Sequence, residues 1–387
     1  MNFDWQDFFL KDKNKKQAEF QFRELKVLEE NKGREIVYEG KKLINFASND
    51  YLGLCHNQEM IEAGNEAARK WGAGSGASRL VSGTIELTRE VEEGFARLVN
   101  KEEALLFNSG YSANTGILAA LSDRDTFIFT DRLNHASIYD GLGLCRGQMR
   151  RYPHNDMPAL KNLLEQNSSA SKKIIITDSL FSMDGDKARL EELADIKEHY
   201  GALLIVDEAH SMGVFGPWGS GLVRELGLEK RVDVIIGTLG KAFGVFGAFI
   251  ASSLGLKEYL VNHSRPFIFT TALPPFVLGA LKKATEIIAC DKRGIKLLEQ
   301  AKMVREMLNQ IGINTGGSES QIIPMIIGDN ARAIGLMEKL LSQGYFAPAI
   351  RPPTVPLGTS RVRLSLSAFH RPGDLEGLIT AIKHFQG

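Results

Sequence analysis

Six short apolar runs between residues 104 and 251 constrain the fold of this chain more than any other feature. Several are rich in β-branched residues and lack in-out alternation, which is typical of strands buried on both faces. The runs are 104–107, 126–130, 174–178, 203–207, 234–236 and 248–251. Helix-like stretches separate them, among them 112–121, 158–165 and 190–200. The alternation predicts an α/β fold with a mostly parallel, helix-covered sheet.

The pattern changes after Pro274-Pro275. A long helical pattern runs over 276–311, and two strand-like runs follow at 321–327 and 361–367. We therefore expect a large domain over residues 56–285 and a smaller α+β domain over 286–387. Residues 1–55, with a helix around 2–30, form an N-terminal helix and strand segment that we expect to pack with the small domain.

Composition and charge narrow the class of protein. The 387 residues carry 47 basic and 47 acidic side chains, so no global field attracts nucleic acid or an anionic membrane. The N-terminal residues lack the apolar core of a secretory signal, and no apolar stretch is long enough to span a bilayer. Cys55, Cys145 and Cys290 lie far apart without a metal-ligand spacing. We expect a cytoplasmic protein with no disulfide framework and no metal site.

Chemically active side chains follow the predicted strands. Ligands of open α/β sheets gather at the carboxyl ends of the strands, so these positions are the candidate site. Lys241 follows one strand between Gly240 and Gly244, and burial there would lower its pKa and free an amine for Schiff-base chemistry. Asp207 ends another apolar run, with His210 three residues later. A carboxylate there favours a cationic partner such as a protonated ring nitrogen.

Two further turns complete this edge. The small-residue turn over 108–114 opens a helix, and helix N-terminal amides bind phosphate. His135 follows a third strand and could stack on an aromatic ligand. Taken singly, these features have ordinary alternatives: a surface lysine, a helix N-cap and a structural histidine. Together, an amine, an acid, two histidines and a phosphate turn at one edge suit pyridoxal phosphate.

The same residues carry a family resemblance that covers nearly the whole chain. The chain resembles the α-oxoamine synthases, which are pyridoxal phosphate enzymes of fold type I. The resemblance lies in the motifs NFASNDYLGL at 45–54, GSGAS at 74–78, NHAS at 134–137, FSMDG at 181–185, VDEAH at 206–210, TLGK at 238–241 and IRPPTVP at 350–356. It implies a large domain that binds the cofactor and a smaller C-terminal domain.

The resemblance also implies roles for individual residues around pyridoxal 5'-phosphate. As catalytic residues, Lys241 would hold the cofactor as a Schiff base, Asp207 would pair with its ring nitrogen, and His135 would stack on its ring. The remaining cofactor contacts would come from Ser182 and His210 at the ring hydroxyl, from Gly110, Tyr111 and Thr238, and from Thr271 reaching the phosphate of a partner subunit. A homodimer with active sites at the subunit interface follows from that last contact.

Substrate contacts follow from the same comparison. Arg363 matches the family position that clamps the amino-acid carboxylate, for which a bidentate guanidinium is suited. Arg23, Asn49 and Thr354 correspond to positions that meet the acyl substrate or the amino-acid adduct, and His135 would also contact substrate.

The implied activity is a decarboxylative Claisen condensation of L-alanine with pimeloyl-CoA or a pimeloyl-carrier protein, in biotin biosynthesis. The motif at 350–356 discriminates best in favour of this donor. The sibling 2-amino-3-ketobutyrate CoA ligase, which joins glycine to acetyl-CoA, remains an alternative because the stretches 133–141 and 237–242 also resemble it. A non-catalytic binding protein on the same fold is the alternative from a different class.

Overall fold

The computed structural model describes residues 3–383, and within that range the chain alternates between helices and short strands. The α-helices, α1 to α14 in chain order, are Trp5–Ala18, Gln58–Trp71, Glu86–Val99, Gly110–Leu121, Ala136–Leu144, Met157–Gln166, Leu190–Tyr200, Leu222–Glu225, Leu254–His263, Arg265–Ile268, Pro275–Cys290, Arg293–Gln310, Asn330–Ser342 and Pro372–Lys383. The strands, β1 to β14, are Glu30–Asn31, Glu35–Tyr38, Lys41–Asn45, Glu103–Phe107, Thr126–Asp131, Gln148–Tyr152, Lys172–Asp178, Leu203–Asp207, Val234–Thr238, Ala248–Ser252, Ile322–Gly328, Tyr345–Phe346, Ala349–Ile350 and Ser360–Ser365.

The larger compact unit comprises residues 49–182 and 186–297. Its sheet has the strand order β4-β10-β9-β8-β7-β5-β6. Strands β9, β8, β7, β5 and β6 pair in parallel, whereas β10 is antiparallel to both β9 and β4. Since β4 and β9 both oppose β10, they run in the same direction, and the predicted mostly parallel sheet is confirmed.

The six predicted strands correspond to β4, β5, β7, β8, β9 and β10, each within two residues of the predicted bounds. The sequence analysis missed β6, Gln148–Tyr152. Four of its five side chains are exposed or half-buried and two are arginines, so it lacks the apolar run that revealed the others. It forms an edge of the sheet, where a strand pairs with a neighbour on one side only, and charged side chains are typical of such strands.

Buried aliphatic side chains hold the helices against this sheet. Ile117 of α4 and Ile138 of α5 are fully buried in one cluster with Ile128, Ile176 and Ile236 of the strands. Each such side chain contributes about 1.5–3 kcal/mol through burial. The packing fixes the N-termini of α4 and α5 at the sheet edge where the parallel strands end.

Among the described residues, the smaller compact unit comprises residues 3–48, the short piece Met183–Gly185 and residues 298–383. One sheet has the order β1-β2-β3-β12, in which β12 pairs in parallel with β3. Another has the order β11-β14-β13, so β14 is its central strand. The domain division predicted from the sequence stays a prediction, and these unit bounds differ from it.

Two predicted helices differ from the structure. The N-terminal helix ends at Ala18 rather than near residue 30, because Phe20 has a left-handed backbone (φ 55) that stops the helix. Residue 2, its predicted start, lies outside the described residues. The pattern over 276–311 is two helices, α11 and α12, broken at Asp291. The Asp291 carboxylate accepts the Arg293 amide at 2.7 Å and so begins α12.

Over residues 3–383, none of the helices combines the length and the apolar character needed to cross a membrane.

Candidate active site

The parallel strands of the large unit end together, and polar residues stand at their carboxyl ends. Strands β5, β7, β8 and β9 end at Asp131, Asp178, Asp207 and Thr238. Asp178 and Asp207 are directly opposite in the register of β7 and β8, so both side chains project from the same face of the sheet. This edge is therefore the candidate site, as the sequence predicted.

Lys241 lies in the tight turn that follows β9. The turn is closed by the Gly244 amide, which donates to the Lys241 carbonyl at 2.8 Å. Gly244 has φ 69, and a Cβ there would lie 2.7 Å from the Cys55 amide nitrogen, so only glycine fits. The turn leaves Lys241 half-buried, with Nζ 2.9 Å from Nε2 of His210.

His210 is hydrogen-bonded on both sides of its ring. Its Nδ1 lies 2.6 Å from the hydroxyl of Tyr51, which is fully buried. The Tyr51 hydroxyl also donates to Oδ1 of Asn49 at 3.2 Å. Asn49, Tyr51, His210 and Lys241 thus form one continuous hydrogen-bonded chain.

Asp207 is only 3% exposed, and neutral donors hold its carboxylate. Asn114 of α4 donates through Nδ2 to Oδ2 at 2.7 Å, and the Ala209 amide donates to Oδ1 at 2.9 Å. The same Asn114 nitrogen donates to the Ser137 hydroxyl at 2.9 Å. Neutral donors orient the carboxylate and leave its negative charge for a cationic partner.

His135 is the N-cap residue of α5. Its Nδ1 accepts the Ser137 amide at 3.2 Å and lies 2.8 Å from the Ser137 hydroxyl, while its backbone amide donates to Asp178 at 2.8 Å. Burial lowers the pKa of the His135 imidazole, and Asp207 and Lys241 act on it in opposite directions. His135, Asp207 and Lys241 therefore share one electrostatic environment, with His135 favoured in its neutral form.

Asp178 carries the opposite shift. Burial raises its pKa well above the usual value, and the negative charge of Asp207 adds to the effect. Two adjacent buried carboxyl groups disfavour double ionisation. The raised pKa therefore favours a neutral acid at Asp178, which accepts the His135 amide.

The turn before α4 has the form of an anion site. Ser109 caps the helix by accepting the Ser112 amide at 3.1 Å, and Gly110 and Tyr111 open its first turn. A Cβ on Gly110 would lie 2.4 Å from Cγ2 of Thr238, so the absence of a side chain lets the helix N-terminus meet the end of β9. The Tyr111 hydroxyl, on a half-exposed ring, donates to Asp140 at 2.7 Å.

Two other predicted cofactor residues lie in loops of the large unit. Ser182 follows Phe181 in the loop after β7. Thr271 is exposed, forms an isolated bridge with Ser78, and its carbonyl accepts the Asn108 side chain at 3.0 Å. The predicted reach of Thr271 into a partner subunit stays a prediction.

The predicted substrate residues Arg23, Thr354 and Arg363 belong to the small unit. Arg23 donates to the Thr354 hydroxyl at 2.8 Å, beside a cavity of about 600 Å³. Arg23 and Arg351 line the cavity together with apolar side chains, including Phe22 and Met337. Burial lowers the pKa of Arg351, and the charge of Arg23 lowers it further. The cavity thus combines an apolar wall with two neighbouring guanidinium groups.

Arg363 lies on the central strand β14 and is only 5% exposed, so it is not a surface charge at a strand edge. Arg361, two residues earlier on the same strand, is also buried and pairs with Asp184 at 2.6 Å.

Sequence reasoning missed several residues that shape this site. Tyr51 stands in the quoted motif at 45–54, and Asn114 stands in the quoted turn, yet neither received a role. Asp178 was treated only as the end of a strand. Only Asp178 carried a local signal, a polar side chain at the end of an apolar run, whereas Tyr51 and Asn114 meet their partners through contacts distant in the sequence.

Comparisons with known proteins identify the family and the fold of this chain. The family model described as aminotransferase class I and II matches residues 41–382. An 8-amino-7-oxononanoate synthase of Geotalea daltonii is 46% identical over 94% of this chain and 93% of its own. The enzyme of that name from Geobacter sulfurreducens is 45% identical over 93% of each chain.

A solved serine palmitoyltransferase from S. paucimobilis, with a bound PLP–myriocin aldimine, is 30% identical, with a TM-score of 0.93 over 98% of each chain. The fold of this chain is accordingly that of a fold type I enzyme. The chain belongs to the aminotransferase class I and II family, within the group of relatives named 8-amino-7-oxononanoate synthases.

Proposed function

We propose that this chain is a pyridoxal 5'-phosphate-dependent acyltransferase. It condenses L-alanine with a pimeloyl thioester and yields 8-amino-7-oxononanoate, carbon dioxide and the free thiol carrier, a step of biotin biosynthesis. One observation carries the proposal: the Lys241 amine lies 2.9 Å from His210, on the sheet edge that also holds the buried carboxylate of Asp207.

The residues present fit pyridoxal phosphate. Asn114 Oδ1 is buried without a hydrogen-bond partner among the described residues. This oxygen, on the side chain that donates to Asp207, can accept a hydrogen bond from a bound group. The missing side chain of Gly110 lets the N-terminus of α4 lie against Thr238 at the end of β9. An amine, an acid and an anion site on one edge match the aldehyde, the ring nitrogen and the phosphate of the cofactor.

When bound, the cofactor supplies an electron sink for the pair left at the substrate α-carbon. Lys241 would hold the cofactor through its aldehyde, and its Nζ would accept the α-proton of the substrate. Asp207 holds the proton of the ring nitrogen, since a buried carboxylate favours a cation beside it. His210 and Ser182 bind the ring hydroxyl.

His135 has two roles in this proposal: it stacks on the ring and donates a hydrogen bond to the oxyanion that develops on the thioester carbonyl. With Nδ1 accepting the Ser137 amide at 3.2 Å, the proton of the neutral ring belongs on Nε2. Burial lowers the His135 pKa and so favours this neutral donor.

The phosphate binds at the N-terminus of α4, held by Gly110, Tyr111 and Thr238. Thr271 of a second copy completes this subsite in a homodimer. The exposure of Thr271 in the single chain is consistent with that role.

The proposed substrate residues fall into two groups, one for the amino acid and one for the acyl chain. Arg363 clamps the alanine carboxylate, and Asn49 lies near the reacting groups through the Tyr51 hydrogen bond. Arg23 and Thr354 meet the acyl substrate. The cavity of about 600 Å³ beside them is lined by apolar side chains and by both basic and acidic ones, including Glu24 and Glu338. Its apolar part suits a chain of methylene groups, and its guanidinium groups suit a terminal carboxylate.

Reduction with borohydride tests the cofactor chemistry. Purified protein should be yellow, and borohydride should bleach it while fixing the cofactor to Lys241. Mass analysis of the peptide that contains Lys241 detects the attached cofactor. Lys241→Ala should fold and lose turnover, whereas Lys282→Ala, at an exposed ion pair with Glu90, should keep both colour and rate. A colourless protein that takes up no cofactor would favour the binding-protein alternative, and normal turnover of Lys241→Ala would refute the assigned role.

A paired assay tests the substrates. L-Alanine with pimeloyl-CoA should turn over faster than glycine with acetyl-CoA. Predominant activity on the second pair would replace the proposed donor with that of the sibling ligase. An assay with a pimeloyl-carrier protein in place of pimeloyl-CoA shows whether the acyl carrier is CoA or a protein. The cytoplasmic location stays a prediction.

A further inference from the structure

His154 occupies an unusual position between two carboxylates of the large unit. Its Nδ1 lies 3.1 Å from Oδ1 of Asp131, at the end of β5, and its Nε2 lies 2.7 Å from Oδ2 of Asp186, in the loop after β7. The ring also meets the edge of Phe181 at 4.4 Å between centroids. The imidazole therefore bridges two separate loops.

The two carboxylates fix how many protons the ring carries. A neutral imidazole has one donor and one acceptor nitrogen, so one of its nitrogens would face a carboxylate oxygen with no proton between them. Asp131 is 1% exposed and already accepts the amides of Leu133 and Asn155, each at 2.8 Å. A protonated ring has a hydrogen on each nitrogen and therefore donates to both carboxylates.

The two loops that His154 joins both carry proposed cofactor residues. Asp131 holds the turn that leads to His135 through the Leu133 amide. The Asp186 carbonyl accepts the Phe181 amide at 3.0 Å, which closes the loop that contains Ser182. Asn155, with a left-handed backbone (φ 51), strengthens the junction by donating to the Lys187 carbonyl at 3.0 Å.

We propose that His154 is a positioning residue, a doubly hydrogen-bonded imidazolium that ties the His135 loop to the Ser182 loop and so sets the spacing of the cofactor-ring contacts. The inference rests on the proposed function, because it assumes that both loops contact pyridoxal phosphate. His154 itself touches neither the cofactor nor the substrate in this proposal.

The charges around His154 support the cationic form. The charged groups that face it are Asp131 from the end of β5 and Asp186 from the loop after β7, and the neutral side chains of Asn155 and Phe181 also contact it. Burial disfavours the charged ring, but the hydrogen bonds to both carboxylates outweigh burial and raise the His154 pKa to about 10.

The protonation state is tested by nitrogen NMR of the holoenzyme with ¹⁵N-labelled histidine, the His154 signal being assigned from its loss in His154→Asn or, if that variant does not fold, from its shift in Asp186→Asn. Both ring nitrogens of His154 should carry protons at about pH 8. A ring that is neutral at that pH overturns the proposal. This measurement does not depend on catalysis.

The positioning role is tested by cofactor affinity. Apoenzyme of His154→Asn should bind pyridoxal phosphate about ten- to a hundredfold more weakly, the scale seen when a supporting partner of a ligand site is lost. His199→Asn, the same change on an exposed helix position, should bind as the wild type does. Asp186→Asn, which removes one side of the bridge, should weaken binding in the same direction and serves if His154→Asn does not fold.

Unchanged affinity in a folded His154→Asn or Asp186→Asn protein overturns the inference. If the wild type itself binds no pyridoxal phosphate, the proposed function fails instead, and the inferred positioning role fails with it. The same NMR measurement on the cofactor-free protein still reports the His154 protonation state.

Discussion

The hydroxyl of Tyr51 lies 2.6 Å from Nδ1 of His210, and the opposite nitrogen of that ring lies 2.9 Å from the Lys241 amine. Because both ring nitrogens are engaged, the imidazole has one orientation. Tyr51 thereby orients the histidine that contacts Lys241.

Replacing Tyr51 with Phe should lower kcat by about tenfold, because His210 loses the partner that fixes its tautomer and orientation. The ring stays buried, so the free energy of unfolding should fall by only about 1 kcal/mol. Steady-state kinetics and denaturant unfolding measure the two effects. Tyr200→Phe, which removes an exposed hydroxyl bonded to Glu165, is the matched control. Equal kcat in both variants would contradict the orienting role.

The fold was predictable because its strands are buried on both faces. In β8, every residue before Asp207 is apolar. The short length of such runs and their β-branched residues favour strands buried on both faces over helices. The edge strand Gln148–Tyr152 has no such pattern, since only Tyr152 is buried. The break between α11 and α12 at Asp291 was also missed, because the apolar helical period continues on both sides of it. The hydrogen bond from the Arg293 amide to the Asp291 carboxylate is seen only in the structure.

Site residues were predictable where they end or follow a strand. They were not predictable where the contact joins residues far apart in the sequence. Lys241, Asp207 and His135 all follow strands of one sheet, so topology alone brings them to one edge. Tyr51 reaches His210 across 159 residues, and Asn114 reaches Asp207 across 93. No local pattern encodes such contacts. The burial of Arg363 likewise depends on β14 being the central strand of its sheet, which pairing alone decides.

Gly110 offers a steric test of the anion site. It opens α4, where alanine would ordinarily favour the helix, yet a Cβ would lie 2.4 Å from Cγ2 of Thr238. Gly110→Ala should therefore destabilise the protein by about 1–3 kcal/mol, the usual cost of overpacking, and should weaken pyridoxal phosphate binding. Denaturant unfolding and cofactor titration of the apoenzyme measure both.

A second substitution isolates that contact. Thr238→Ser removes Cγ2 but keeps the hydroxyl that donates to the Ala209 carbonyl at 3.2 Å, so Gly110→Ala with Thr238→Ser should recover most of the lost stability. A double-mutant cycle gives the coupling. Gly143→Ala, in α5 with no atom within 4 Å of the added Cβ, should be neutral or stabilising. Additive effects in the cycle would show that another contact causes the loss.

The buried imidazole of His370 should make the free energy of unfolding depend on pH. Its ring is 3% exposed and stacks on Phe46 at 4.1 Å. Nδ1 accepts the Ser367 amide at 3.1 Å, and Nε2 donates to the Asn45 carbonyl at 3.0 Å. Burial lowers its pKa from 6.5 to about 4. The neutral ring is thus the form that the fold accommodates.

The sign follows from proton binding. Between pH 6.5 and pH 4 the unfolded chain binds the His370 proton and the folded chain does not, so the free energy of unfolding falls as the pH falls through this window. The contribution is fully present above pH 6.5 and is lost by about pH 4, and its full size is about 3 kcal/mol at ~1.4 kcal/mol per pKa unit.

Denaturant unfolding of the wild type and of His370→Gln, at a series of pH values, measures this contribution. The variant should lose less stability on acidification by that amount, whereas His199→Gln, at an exposed position, should follow the wild type. Parallel curves for wild type and His370→Gln would show that the buried ring titrates no differently from an exposed one.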